Sequence, residues 1–254
     1  MADEIRTERD GGILVITMNR PEAKNAVNGA LARAMAAALD ELDEDRSLTI
    51  GILTGAGGTF SAGMDLKAFL TGDLPLIEGR GLAGITITPP GKPVVAAVEG
   101  YALAGGCEIA LACDLIVAAR NARFGLPETK RGLVAGAGGL FRLPRRIPPA
   151  IAMEYALTGE HFGAEQAAQW GLVNRLTEPG EALAGAFELA RRIAENGPLA
   201  VRATKQIVAN GADWPADERW DRQEKLMRPV FASADAQEGP RAFAEKRAPV
   251  WRGE

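Results

Sequence analysis

The chain has 254 residues, 47% of them hydrophobic, and a formal net charge of -4. That is enough for one large domain, or one domain plus an extension, with a sizeable core. A pI of about 5.3 and the lack of any basic stripe argue against nucleic acid as the main partner.

Cys107 and Cys113 sit in an apolar run without C-x-x-C spacing, which fits free core thiols in a reducing cytosol rather than a disulfide or a metal pair. His161 is the single histidine, so His-rich metal sites are excluded and a Ser-His-Asp triad is disfavoured; it reads as a surface-loop residue. No metal is expected. The start, MADEIRTERDGG, is polar and reads as neither signal peptide nor anchor, so a cytoplasmic protein is expected.

Residues 3–8 and 13–18 read as two strands joined by a hairpin turn at Asp10-Gly11-Gly12. A loop, NRPEAKNAVN, follows. Between Asn28 and Asp45 the apolar residues Leu31, Met35, Leu39 and Leu42 recur at helical spacing, with Asn28 as the cap. Leu48 to Thr54 is a buried strand, followed by the glycine-rich GAGGTFSAGMDL and a short helix from Asp65. Residues 71–91 lack periodicity and are rich in Gly and Pro, which predicts a mobile segment over a site.

The stretch KPVVAAVEGYALAGGCEIALACDLIVAA is long and apolar enough to raise the question of a membrane span. Gly105-Gly106 breaks it, and Glu108 would be a bare carboxylate in hydrocarbon, at a cost of roughly 2.5 kcal/mol or more. It reads instead as a strand (Val94 to Val98), a turn, a short helix (Gly106 to Ala112) and a second strand (Leu115 to Ala119). Further on, helices are expected over 132–143, from Pro148-Pro149 to Gly159 and over 164–171, then a short strand over 172–176. From Gly180 the chain reads as helical, over 181–195, 199–210, 215–232 and 236–247. The expected organisation is an α/β core over 1–195 and a helical region over 196–254 that docks on the body or on another subunit.

Glu108 is the informative residue. Its helical neighbours, Ala104, Leu111, Ala112 and Leu115, are all apolar, so its carboxylate is costly unless paired or used. Two readings remain open: a buried carboxylate held by a distant Arg or Lys, or a general acid/base in a pocket. GAGGTF fails as a dinucleotide loop, because Phe60 stands where glycine is required, and AGAGG at 135–139 precedes no Lys-Ser/Thr. Two glycine-bearing turns, Ala62-Gly63-Met64 and Ala104-Gly105-Gly106, each follow a buried strand and open a short helix. Free N–H groups at helix starts attract negative charge, and two converging on one point would form an oxyanion hole.

The segments FSAGMDL, KPVVAAVEGYALAGGCEIALACD and FGLPETKRGLVAGAGG, with NRPEAKNA near the start and FAEKR near the end, resemble the enoyl-CoA hydratase/isomerase family, the crotonase superfamily. The resemblance spans residues 4 to 251. It implies a crotonase-like fold of stacked β-β-α turns with a C-terminal helical trimerisation region, assembled as a homotrimer or a hexamer of paired trimers. It implies an acyl-CoA thioester substrate, with coenzyme A as part of the substrate and no separate cofactor. Oxyanion donors carry over to the backbone N–H groups of Met64 and Gly105. Contacts to coenzyme A carry over to Ala62, Asp65, Leu66 and Lys67, and to Phe243 and Lys246 of the tail, the last two reaching a neighbouring subunit's site.

The family is chemically diverse, so membership leaves the reaction open. Hydratases that resemble this chain carry one glutamate in the GGCE position and another in the FGxPE position, here Glu108 and Glu128. Both are present, so the resemblance implies reversible hydration of a trans-2-enoyl-CoA, with Glu108 as base and Glu128 as proton donor. Competing readings are a double-bond isomerase, a specialised dehydratase for carnitine-type or bulky acyl groups, and an RNA-binding relative. The acidic pI and the absence of a Lys/Arg-rich helix count against the last.

Overall fold

A computed structural model describes residues 3–254 of the chain. The hairpin forms as β1 (Ile5–Asp10) and β2 (Ile13–Met18), antiparallel, with Gly11 at φ +55 in the turn. α1 (Gly29–Glu44) follows; the Asn28 side chain accepts from the Leu31 N–H at 2.8 Å, and Leu31, Met35, Leu39 and Leu42 are buried. Then come β3 (Ile50–Gly55) and α2 (Leu66–Leu70). A small hairpin, β4 (Leu76–Ile77) and β5 (Gly81–Leu82), precedes β6 (Val94–Val98), β7 (Tyr101–Leu103), α3 (Gly105–Ala112), β8 (Leu115–Ala119) and β9 (Arg123–Gly125). Next are α4 (Gly139–Arg146), α5 (Pro149–Thr158), β10 (Phe162–Gly163), α6 (Ala164–Gln169) and β11 (Arg175–Thr177). The chain continues through α7 (Ala182–Ala194), α8 (Pro198–Asn210), α9 (Arg219–Phe231) and α10 (Ala234–Glu245).

The main sheet has the order β1-β2-β3-β6-β8-β11 and is parallel throughout except for the β1–β2 hairpin. Its strands read as near-continuous apolar runs because both faces are covered. Leu14, Ile16, Leu53, Ala96, Val98 and Ile116 face the large core containing α1 and α3. The alternate residues Ile13, Val15, Ile52, Val95, Ala97 and Val117 pack on Ala182, Ala186 and Ala190 of α7. A smaller sheet, β10-β9-β7, lies beside it, and Ser61 extends it by a parallel bridge to Ala102. Successive passages therefore lay one strand in each sheet before a helix: β3, Ser61, α2; then β6, β7, α3; then β8, β9 and a 3-10 turn over Pro127–Arg131. This is the stacked β-β-α pattern, and the turns stack closely: a β-carbon on Gly106 would lie 2.3 Å from the Ser61 carbonyl oxygen.

Three expectations need correction. Within residues 71–91 the 80–86 part is anchored rather than loose: Leu82, Ala83, Ile85 and Thr86 are buried, and Arg80 is paired with Asp40 of α1, while most of 71–79 is exposed. The reason is that Leu82 and Ile85 join the large core, a gain that irregular backbone does not forfeit. Residues 133–138 form a loop, and the helix begins only at Gly139, because two of its N–H groups are recruited by a side chain described below. The last strand lies at Arg175–Thr177, set by its pairing with Val117–Ala119 rather than by local hydrophobicity. Among the described residues, no helix is long and apolar enough to cross a membrane.

α8 is held to the core by Lys205. Its ammonium donates to the carbonyls of Pro90 and Lys92 at 2.7 and 2.8 Å and pairs with Asp114 at 2.8 Å, so all three protons are used. The Lys205 side chain is only 11% exposed. Lys205→Ala leaves Asp114 without its counter-charge in a poorly solvated place, a loss of about 3 kcal/mol. Thermal unfolding should show this as a lower midpoint than for a substitution on the exposed face of α8.

Candidate active site

The Met64 peptide is turned by a bridge on its outer side. Val27 donates to the Gly63 carbonyl at 2.8 Å, and Asp65 donates to the Val27 carbonyl at 2.9 Å. In a parallel bridge the residue between those two bonds directs its own N–H away from the partner strand, so the Met64 N–H faces the interior of the turn. Gly105 is the first residue of α3, where an N–H has no intrahelical acceptor. The two groups are close: a β-carbon on Gly105 would sit 3.4 Å from the Met64 nitrogen, and one on Gly63 would sit 2.9 Å from the Gly105 nitrogen. Gly63, at φ +99, is thus required both for its conformation and for the gap.

Ala104, just before α3, has φ 50 and ψ -127, a region costly for any residue with a β-carbon. It is held there from both sides. Its N–H donates to the Gly125 carbonyl at 2.9 Å, and its carbonyl accepts from the Glu108 N–H at 3.1 Å. That strain aims the Gly105 N–H, and the sharp turn starts α3 one residue earlier than the sequence pattern indicates.

Glu108 lies in the first turn of α3, a helix buried at every position. Its Oε1 accepts from the Ala137 N–H at 2.7 Å and from the Gly139 N–H at 2.9 Å, and no salt bridge neutralises it among the described residues. Burial pushes its pKa up, while the Gly139 and Ala137 N–H groups and the nearby Arg142 cation pull it down; the net shift is upward. Glu128, in the 3-10 turn after Pro127, is differently provided for. Its Oε2 is buried without any hydrogen-bond partner. Burial, reinforced by the Glu108 charge against a backbone N–H and Arg131, raises its pKa to about 7. The Glu108 charge is one of the causes that raise Glu128, and of the two carboxylates Glu108 has the better hydrogen-bonded place.

The turn after Met64 is organised by Asp65. Its carboxylate caps α2 through the Lys67 and Ala68 N–H groups and pairs with Arg20 at 3.0 Å. Burial opposes ionisation, but those donors outweigh it and the pKa is lowered. The N–H groups of Ala62 and Asp65 are already given to the Lys24 and Val27 carbonyls, and the Asp65 carbonyl accepts from the Phe69 N–H at 2.9 Å, so what remains for a ligand from the backbone of these two residues is the Ala62 carbonyl. Leu66 and Lys67 are exposed beside them. Phe243, 87% exposed, and Lys246 lie at the end of α10, which packs on α9; the fold does not place them in the layer that holds the carboxylates. His161 lies on the surface next to Gly125. Both cysteines are free and buried, their thiols pushed up to about 12 by desolvation.

Sequence reasoning missed the Ala137 and Gly139 donors and Arg142. The glycines of VAGAGG were visible, but nothing local shows that their amides turn onto a helix some thirty residues earlier.

Glu128 also has a consequence for stability. Its carboxyl is neutral in both states at low pH. As pH rises from the unfolded value near 4.5 to the folded value of about 7, only the folded chain keeps the proton, so stability falls across that window. Glu128→Gln removes the penalty. Allowing for solvent screening of the rest of the side chain, the variant should gain about 1–3 kcal/mol at pH 8 and little at pH 4. Chemical denaturation at the two pH values measures the difference.

The model of the enoyl-CoA hydratase/isomerase family matches residues 8–254. Carnitinyl-CoA dehydratase of Salmonella typhi is 45% identical over all of both chains. An enoyl-CoA hydratase of Mycobacterium marinum superposes with a TM-score of 0.97 at 60% identity, covering 99% of this chain and 100% of that one. Carnitinyl-CoA hydratase of Mycobacterium avium superposes with a TM-score of 0.79 at 44% identity over 100% of each. With a buried Glu108, a half-buried Glu128 and likeness along its whole length, the chain belongs to the enoyl-CoA hydratase/isomerase family.

Proposed function

We propose that this chain adds water reversibly across the double bond of a trans-2-enoyl-CoA, giving a 3-hydroxyacyl-CoA. The observation that carries the reading is the unequal pair: Glu108 held by two main-chain donors and Glu128 with an orphaned oxygen and a pKa of about 7. The thioester carbonyl oxygen sits between the Met64 and Gly105 N–H groups, which stabilise the enolate by about 3–4 kcal/mol per donor. Water attacks the β-carbon; Glu108 takes its proton through Oε2. The double-bond electrons pass to the carbonyl oxygen, and the α-carbon then takes the proton of Glu128. After product release the proton on Glu108 passes to Glu128 through solvent and restores the starting pair; atoms then balance without redox change, so no cofactor is needed beyond the coenzyme A of the substrate. Ala62, Asp65, Leu66 and Lys67, next to the Met64 amide, are the chain's own contacts for coenzyme A.

A second reading has specific support: relatives 45% and 44% identical are a carnitinyl-CoA dehydratase and a carnitinyl-CoA hydratase. It uses the same two carboxylates in the dehydrating direction and differs in the acyl group. A turnover panel separates them, using crotonyl-, decenoyl-, branched and ring-bearing enoyl-CoAs and the unsaturated thioester left when carnitinyl-CoA loses water. Loss of conjugated thioester absorbance is the readout. Glu128→Gln and Glu108→Gln should each lower turnover by about a hundredfold or more with thioester binding nearly intact. Turnover near wild type in either variant removes that residue from the mechanism.

Large apolar side chains stand exposed on the tail helices, among them Val208, Trp220, Phe231 and Phe243. Their exposure supports docking of α8–α10 against further copies as a homotrimer or paired trimers, with Phe243 and Lys246 reaching a neighbour's coenzyme A. Sedimentation equilibrium should give three or six times the chain mass of 26.8 kDa; a monomer refutes the assembly.

A further inference from the structure

Arg142 has no part in the reaction as written, yet it joins the two halves of the site. It lies on α4 within one turn of Gly139, and its side chain is half-buried. One nitrogen, Nη1, donates to the Ala137 carbonyl at 3.2 Å, and Nη2 donates to the Thr86 carbonyl. Ala137 and Gly139 supply the two N–H groups on Glu108. Thr86 in turn closes the other wall: its Oγ1 accepts from the Leu82 N–H at 2.9 Å, and the Leu82 side chain packs against Gly105, whose N–H is an oxyanion donor. A planar fork with separate donors suits two carbonyls from different segments.

We propose that Arg142 is a positioning residue that clamps the 133–138 loop to the 81–88 segment, holding the main-chain donors on the Glu108 carboxylate and the Leu82 wall against the Gly105 amide. The inference rests on the hydration reading for its kinetic consequence, but the clamp itself does not. Besides holding the donors, the cation favours the ionised form of Glu108. Charged and titratable groups around this carboxylate are Cys107 on its own helix, Glu128 and Arg131 on the 3-10 turn, and Arg142, Arg145 and Arg146 on α4. Of these, Arg142 is the one that also holds the peptide next to the Glu108 donors.

Arg142→Gln and Arg142→Lys in the full-length protein provide the test. Turnover of the best substrate in the panel is measured alongside titration of the Glu108 carboxyl by infrared difference spectroscopy, assigned with Glu108→Gln. Arg142→Gln should lower kcat by about tenfold or more while KM stays within about threefold, and should move the Glu108 titration to higher pH. Arg142→Lys should return the titration toward its original place and recover part of kcat. A folded Arg142→Gln with unchanged kcat and unchanged titration overturns the proposal, as does a Lys variant no better than Gln in both. Should Arg142→Gln fail to fold, Arg142→Lys alone decides: lowered kcat with an unshifted titration supports the clamp, and wild-type kcat overturns it. Failure of the hydration reading shows differently, as a wild-type protein inactive on every enoyl-CoA while the carboxyl titration still responds to Arg142.

Discussion

A carboxylate stands on a helix that is buried at every position, and the fold around it compensates for that expense. Removing such a charge from water costs several kcal/mol unless dipoles replace the lost hydration. For Glu108 the replacement comes from two main-chain N–H groups on the 133–139 loop and from the first-turn position on α3. This demand explains why the loop stays irregular until Gly139. It also explains why glycines crowd there: a β-carbon on Gly139 would lie 2.9 Å from the Glu108 Cγ. Glu128 receives no comparable provision for its Oε2, so the two carboxyls are unequally supplied with donors.

The same helix start leaves main-chain donors without intrahelical acceptors. Gly105 opens α3 with a free N–H, and three residues later Glu108 projects from the first turn. One short helix therefore fixes the distance between the Gly105 amide and the Glu108 carboxylate. The strained conformation of Ala104 is stored where it is used, between the Gly125 carbonyl and the Glu108 N–H. The second donor, Met64, comes from the preceding β-β-α passage, stacked so closely that only glycine fits at positions 63 and 106. Stacking of successive turns is what brings residues 64, 105, 108 and 128 to one place, one or two per passage.

The helical tail answers a different need. α7 completes the sheet by covering its second face with alanines, and α8 is tied down by the three bonds of Lys205. Beyond α8 the helices expose large apolar side chains, among them Trp220, Phe231 and Phe243. Membership of the family and likeness to solved hydratases establish the fold, while the acyl group remains a matter for the pocket walls. Arg142 links the buried 81–86 segment to the 133–138 loop through the Thr86 and Ala137 carbonyls.

Periodicity and turn chemistry alone located most elements. The α1 stripe with its Asn28 cap, the Gly11 hairpin, the strands at 94–98 and 115–119 and the tail helices are local matters of residue spacing and conformational preference. The apolar surroundings of Glu108 were equally legible, since a helix displays its own neighbours in sequence. Where those neighbours left two readings open, only the tertiary structure decided: the bonds to Glu108 come from peptides at 137 and 139 rather than from an Arg or Lys. It also decided that residues 81–86 are buried by long-range packing, that the last strand follows its partner rather than its own hydrophobicity, and that Ala104 bears the strain. Each of these depends on contacts between segments far apart in the chain, and a hydrogen bond to a main-chain amide leaves no mark on the identity of the residue that supplies it.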